Sequence, residues 1–250
     1  MKLTIVGCSG SFPGPDSATS CYLVEAEGVT LVLDLGPGAL GPLSRYTDIY
    51  DIGAVLLSHL HADHCFDLCS LYVARRYLPG GPPKGCPPVY GPRGTADRLA
   101  QAYGLPVDPG MTRVFDFREW DPSTSYDIGP FQVRVVRVNH PIEAYGMRIE
   151  HGGRSLVYSG DTGVSPALVE LARGANLLLC EAAFHDDRDA VRDVHLSGRE
   201  AAEHATAAGV ERLVLTHLPP WNDPIRTLAE AAPVFNGECQ VARPGASYDL

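Results

Sequence analysis

The stretch Val55-Leu-Leu-Ser-His59-Leu-His61-Ala-Asp63-His64-Cys-Phe-Asp67 decides how the rest of the chain is read. Its apolar start, Val55 to Leu57, has the composition of a buried strand. The six residues from His59 to His64 then supply three imidazoles and one carboxylate. His59 and His61 are two apart, so an extended backbone aims both side chains the same way. Asp63 and His64 follow where the pattern turns helical, and they aim elsewhere. Two adjacent metal ions suit that divergence better than one. Imidazole nitrogen and carboxylate oxygen are ligands that zinc, iron and manganese accept. A polar loop with chance histidines accounts for one ligand-type residue, but poorly for four directly after a strand.

Working outward, residues 2–7, 20–26, 29–34 and 54–58 read as strands, with a hairpin around Glu27-Gly28. Residues 64–78 and 95–104 read as helices, the second capped by Thr95 and closed by Gly104. Segment 79–94 is a Pro- and Gly-rich loop, and 105–130 is loop-rich with short strands. Strands follow at 131–138, 145–150, 155–158, 176–180, 212–215 and 238–242. Ser165-Pro166 opens one helix. The capping box Ser197-Gly-Arg-Glu200 opens another that ends at Gly209, and a third lies near 225–232. The halves, about 1–130 and 131–250, repeat one plan of strands, a ligand-type residue at a strand end, then helices. The expected fold class is α/β. It is a single domain over 1–250, an αββα sandwich of two mixed β-sheets flanked by helices.

Further ligand-type residues stand at strand ends, where sites of layered α/β folds gather. These are His140, Asp161 in Ser-Gly-Asp-Thr-Gly, and His217 after Val-Leu-Thr. With His59, His61, Asp63 and His64 they make seven, enough for three or four protein ligands on each of two ions. Asp161, the middle acidic residue, is the natural bridge. Taken singly, Asp161 also reads as a turn residue, and His140 and His217 as satisfied core histidines; the 59–64 cluster favours the metal reading jointly. Asp34 either braces the metal loop or caps its own turn. The turn Gly7-Cys-Ser-Gly-Ser11 either offers N–H groups to a phosphate or only reverses the chain. His151, His185 and His204 read as surface or helix residues.

The chain carries a formal charge of −10, which does not favour a polyanion such as RNA. Arg75, Arg76, Lys84 and Arg93 make only a thin basic patch. The seven cysteines form no Cys-x-x-Cys pair. With no apolar export signal at the start, they read as reduced cytoplasmic thiols. Cys65 can brush the site or serve as a small buried apolar residue. No run of about 18 apolar residues exists, so no membrane partner is expected.

The His-x-His-x-Asp-His string resembles the signature of the metallo-β-lactamase-fold hydrolases. With the opening Gly-Cys-Ser-Gly-Ser turn, Asp34, His140, Ser-Gly-Asp161-Thr-Gly, Cys-Glu181-Ala-Ala-Phe, His195-Leu-Ser and Thr-His217, nearly the whole chain resembles the ribonuclease Z-like branch. The resemblance implies one metal on His59, His61 and His140, another on Asp63, His64 and His217, and Asp161 between them. It also implies that His195 faces the scissile phosphate. Val-His195-Leu-Ser-Gly and Leu-Thr-His217-Leu-Pro-Pro-Trp221 are similar to atypical class II cyclic-nucleotide phosphodiesterases. The long basic arm with which ribonuclease Z grips tRNA has no counterpart; only the short 79–94 loop stands in its place.

The expected activity is therefore hydrolysis of a small phosphodiester such as a cyclic nucleotide. The cofactors are two divalent ions, zinc first, with manganese or iron as alternatives. Metal-activated water attacks phosphorus, Asp63 orients it, His195 assists the leaving group, and Glu181 holds the His195 tautomer. His195 has a second reading, orienting the loop before the Ser197 helix. Trp221 either stacks on a base or fills a corner. Rival functions are a ribonuclease Z-like tRNA 3′-endonuclease, a metal-stabilised non-catalytic binding module and, more weakly, lactone or thioester hydrolysis. A homodimer is compatible with the sequence.

Overall fold

Runs of alternating hydrophobicity make strands with one wet face, and continuous apolar runs make strands covered on both. The computed structural model describes residues 1–250. Its first half contains β1 (Lys2–Ser9), β2 (Ala18–Thr19), β3 (Cys21–Ala26), β4 (Val29–Leu33), α1 (Leu40–Leu43), β5 (Ala54–Leu56), α2 (Ala62–Cys65), α3 (Asp67–Arg76), β6 (Pro88–Gly91), α4 (Thr95–Tyr103) and β7 (Asp116–Glu119). Then come β8 (Ser125–Ile128), β9 (Phe131–Arg137), β10 (Tyr145–His151), β11 (Arg154–Tyr158), α5 (Pro166–Ala172), β12 (Leu177–Glu181), α6 (Gly198–Ala208), β13 (Arg212–Thr216), α7 (Pro224–Ala231), β14 (Glu238–Val241) and β15 (Ser247–Asp249).

Two mixed sheets form. The first runs β15-β1-β3-β4-β5-β6-β7, with β2 beside β1, and the second runs β14-β13-β12-β11-β10-β9-β8. In the first, β4 to β7 are parallel. In the second, β11 to β14 are parallel. Leu33 pairs with Leu56, and Glu181 with Thr216, so these strands finish level with one another. That brings the residues just beyond Leu33, Leu56, Tyr158, Glu181 and Thr216 to one edge of the sandwich.

In β9, Phe131, Val133 and Val135 are buried while Gln132 and Arg134 are exposed. The buried set joins Leu3, Tyr22, Leu31, Ile149 and Leu177 in a core between the sheets. A second core packs the outer face of the first sheet on Leu43, Leu68, Leu71 and Leu99 of the helices. A third packs the outer face of the second on Leu168, Leu171, Ala201 and Ala205. The layers are therefore helix, sheet, sheet, helix. β12 is buried along its whole length because α-helices cover its far side.

Local signals place most helix ends. Ser197 Oγ accepts from Glu200 N–H at 3.2 Å, and Glu200 Oε2 accepts from Ser197 N–H at 3.0 Å. Ser165 Oγ accepts from Leu168 N–H at 3.3 Å, ahead of Pro166. Thr95 is different: Gly94 is the capping position, and the Thr95 hydroxyl donates to the Pro92 carbonyl. The expected 64–78 helix divides at Phe66 into α2 and α3. Arg75 does not contribute to a surface patch: it is buried and donates to the Tyr50 and Gly85 carbonyls. β15 returns from the second half to pair with β1, a long-range pairing that no local pattern signals. No helix is long and apolar enough to cross a membrane.

Gly36 lies under the loop that follows β5. A Cβ there would stand 1.9 Å from the Asp63 carbonyl oxygen and 2.1 Å from Thr19 Oγ1. Gly36→Ala is expected to destabilise the fold by about 1–3 kcal/mol, the usual cost of overpacking. A urea midpoint equal to wild type would show that the loop yields freely.

Candidate active site

The Asp34 carboxylate is completely buried where β4 ends. It accepts hydrogen bonds from the Ser58 N–H and hydroxyl, the Tyr158 hydroxyl and His64 Nδ1, each at 2.7 Å. Its backbone has φ 54°, a left-handed conformation that Asp tolerates better than most residues. Of its two readings, bracing is the one observed. With Nδ1–H donated to Asp34, the His64 ring leaves Nε2 as a lone pair facing inward.

The same device recurs. His59 Nδ1 meets Ser58 Oγ at 3.0 Å, and His217 Nδ1 meets Ser20 Oγ at 3.1 Å. His140 Nδ1 donates to the Val194 carbonyl at 2.9 Å. Each ring then turns Nε2 inward. The His64 and His217 Nε2 atoms lie 3.2 and 3.3 Å from Asp161 oxygens, and His59 Nε2 lies 3.6 Å away. His61 presents Nδ1 instead, 3.1 Å from His59 Nε2 and 3.2 Å from His140 Nε2.

Two groups result, His59–His61–His140–Asp161 and Asp63–His64–Asp161–His217, with the ligand-type atoms of each within 4.8 Å of one another. Asp161 belongs to both. His64 Nε2 and Asp161 Oδ1 are buried without hydrogen-bond partners. Such atoms cost about 1–3 kcal/mol each when nothing satisfies them. Cations satisfy converging lone pairs, and this set of imidazole and carboxylate donors suits zinc, iron or manganese. The residues present fit divalent metal ions.

Electrostatics favour the neutral, ligating form at His59, His61, His140 and His217. Burial, with the neighbouring His64, pushes His59 well below the usual imidazole range, so it is neutral. Burial also lowers His61, His140 and His217. For His64, burial acts downward, but the Asp161 and Asp34 carboxylates outweigh it and raise the ring well above its usual value. For Asp161, burial acts upward, but His217, His64 and His59 hold the carboxyl well below its usual range.

A third group joins Asp161 to Glu181 and His195. Buried Glu181, at the end of β12, accepts from Thr162 N–H at 2.8 Å and from His195 Nδ1 at 2.9 Å. The His195 ring centre lies 5.6 Å from those of both His140 and His217, one from each ligand group. Its Nε2 makes no hydrogen bond within the chain. Burial acts to lower His195, but Glu181, by charge and hydrogen bond, and Asp161 raise it to about 9.

The Ser11 N–H donates to Asp63 Oδ2 at 2.9 Å, so the opening turn holds a site carboxylate and is neither simply a reversal nor, at Ser11, free for a phosphate. Cys65 is buried and its thiol donates to the His61 carbonyl; it lies outside the three groups. His185, expected at the surface, is buried against Glu230. His204 lies on α6, buried, and accepts from the Ser165 N–H. His151 stays near the surface, beside the Pro130 carbonyl. Sequence reasoning missed Ser20, Ser58 and Tyr158. Ser58 directly precedes His59, so its contact with that ring is local in sequence. Ser20 and Tyr158 are brought in only by the packing of the strands.

A layered α/β sandwich with imidazole–carboxylate clusters at its strand ends defines a metallo-hydrolase. The β-lactamase superfamily domain matches residues 30–218, and the chain belongs to that superfamily. An uncharacterized protein of Mycobacterium tuberculosis is 45% identical over 242 residues, spanning 95% of this chain and 88% of its own length. A ribonuclease Z of Methanopyrus kandleri is 32% identical, spanning 94% and 93%. The crystal structure of the metallo-β-lactamase fold protein YhfI from Bacillus subtilis is similar over 99% of both chains, with TM-score 0.88 and 30% identity.

Asp34→Ala removes the acceptor that sets the His64 tautomer. It is expected to weaken metal affinity about 10–100-fold, as outer partners of ligating histidines usually do. Competition with a chromogenic chelator measures this, and unchanged affinity would show that His64 needs no orientation.

Proposed function

We propose that the chain is a dinuclear metal-dependent phosphodiesterase acting on a small phosphodiester, a cyclic nucleotide above all. His59, His61 and His140 would hold one ion, Asp63, His64 and His217 the other, and Asp161 both. Zinc is the first candidate. Bound there, such ions supply Lewis acidity towards phosphoryl oxygens and lower the pKa of water towards about 7. The observation that carries the reading is His195, held by Glu181 between the two ligand groups with Nε2 free.

The chain's own residues divide the remaining tasks. Asp63, steadied by the Ser11 N–H, orients the attacking water. Glu181 keeps Nδ1–H of His195 engaged, so the proton available for transfer sits on Nε2. That proton goes to the leaving oxygen as its bond to phosphorus breaks. The raised pKa of His195 keeps the ring charged at neutral pH. Cations held beside Asp161 would act in the opposite sense, and a general acid is most effective when its pKa lies near the operating pH.

A second reading, tRNA 3′-end cleavage, is favoured by relatives named ribonuclease Z at 31–32% identity. Against it stand the net charge of −10 and the loop from Tyr77 to Pro87, which carries a single lysine, Lys84, and no arginine. Metal-loaded protein assayed in parallel on 2′,3′- and 3′,5′-cyclic nucleotides, precursor tRNA and a lactone separates the readings. Turnover of precursor tRNA alone would overturn the proposal.

Elemental analysis of gently purified protein is expected to find two ions per chain. Asp161→Ala is expected to loosen both and remove nearly all activity; full metal content in that variant would refute a shared carboxylate. His195→Ala should lower turnover of a cyclic nucleotide about 10²–10⁴-fold with metal content unchanged. A p-nitrophenyl ester needs less protonation of its leaving group and should lose less. An equal loss on both substrates would remove His195 from the acid role.

A further inference from the structure

We propose that Phe12 and Trp221 form a stacking platform for the base of the nucleotide substrate, at the rim of the ligand clusters; this rests on the phosphodiester reading above. Trp221 is 61% exposed and Phe12 43% exposed. Their rings nonetheless pack on each other, with centroids 5.2 Å apart and planes tilted by 42°. Single exposed apolar residues are ordinary. Two large aromatics brought together from opposite ends of the chain, both left open to solvent, are less so. Trp120, the other tryptophan, shows the contrasting arrangement: it is buried and its indole N–H donates to the Leu57 carbonyl.

Both loops are fastened at their bases to the site. Ser9 and Leu218 form a β-bridge, and Gly10 N–H donates to the Leu218 carbonyl at 3.0 Å. Gly10 has no room for a side chain, since a Cβ would stand 2.4 Å from the His217 carbonyl oxygen. Ser11, which precedes Phe12, has φ 64°, and its N–H holds Asp63. His217, four positions before Trp221, has φ 58°. Non-glycine residues persist in this region only where the surroundings over-determine them. On the far side of Trp221, Asn222 donates to the Ala183 carbonyl and accepts from Arg188, both at 2.8 Å. The backbone under the rings is therefore held while the rings face water, which is the condition for stacking at low entropic cost.

The placement suits a nucleotide. Backbone dimensions put the Phe12 Cα within about 8 Å of the Asp63 carboxylate. A ribose can bridge a phosphate at the clusters and a base on the rings. Residues 9–14 and 218–223 contain no lysine or arginine. The platform thus offers π-faces and no cation, and it tolerates any base because every base has a face to stack.

The test uses metal-loaded protein, with Trp221→Ala and Trp221→Phe as variants. Trp221→Ala should raise KM for 3′,5′-cyclic AMP about 5–150-fold, the worth of one base–aromatic stack. Turnover number should stay within about twofold, since the lost contact is made equally in ground and transition states. Trp221→Phe should keep most of the affinity. KM for a ribose 3,5-cyclic phosphate without a base should not respond to either change. Independently of turnover, adenosine 5′-monophosphate should quench Trp221 fluorescence in the wild type and leave the Trp120 emission of Trp221→Phe unquenched. Unchanged KM for cyclic AMP in Trp221→Ala, or an equal rise on the abasic substrate, would overturn the platform while leaving the phosphodiester reading in place. Quenching that is lost in Trp221→Phe, without turnover of any cyclic nucleotide, would uphold the platform and overturn that reading.

Discussion

A single buried carboxylate ties the site to the fold. Asp34 ends a strand of the first sheet and receives Tyr158 from the second, Ser58 from the metal loop and His64 from the helix beyond it. A buried charge with four donors is stable where the same charge unpaired would cost several kcal/mol, of order 3–5 on loss of a partner. The Tyr158 hydrogen bond links the two sheets at this edge, and the His64 hydrogen bond chooses which nitrogen of His64 faces inward.

The inner groups are arranged at the expense of stability. Imidazoles from four separate segments meet around Asp161, and two polar atoms there have no partner. Metal binding to such a preformed cluster stabilises the folded chain, because the unfolded chain offers no comparable site. The compensating order comes from outside the cluster. Ser20, Ser58, the Val194 carbonyl and Asp34 engage the outward nitrogens, so the rings have little freedom left to lose when a cation arrives.

His195 depends on a charged loop that reads in sequence as simply solvated. In the structure Asp186 pairs with Ser197 and Arg199, Asp187 with Arg226, and Arg188 with Asp189 and Asn222. Exposed pairs of this kind are individually worth about 0–1 kcal/mol. Together they stitch residues 185–199 to α6, α7 and the Trp221 loop. His195 and the aromatic rim therefore share a support.

The sequence by itself determined whatever depends on neighbours along the chain. The His59–His64 string, the alternation of β9, the capping box at Ser197 and the ending of strands at Glu181 and just before Asp161 and His217 are all local patterns, and they carry the fold class and the candidate ligands. Tertiary structure decided what depends on distant partners. It made Asp34 a cross-sheet brace, gave His217 the hydroxyl of Ser20 and His140 the carbonyl of Val194, turned His61 to present Nδ1, buried His185 on Glu230, and set Phe12 against Trp221. Periodicity records which face of an element is apolar. It holds no record of which strand ends meet, because that is settled by the packing of two sheets against each other, and a hydrogen bond between residues nearly 200 positions apart exists only once that packing is complete.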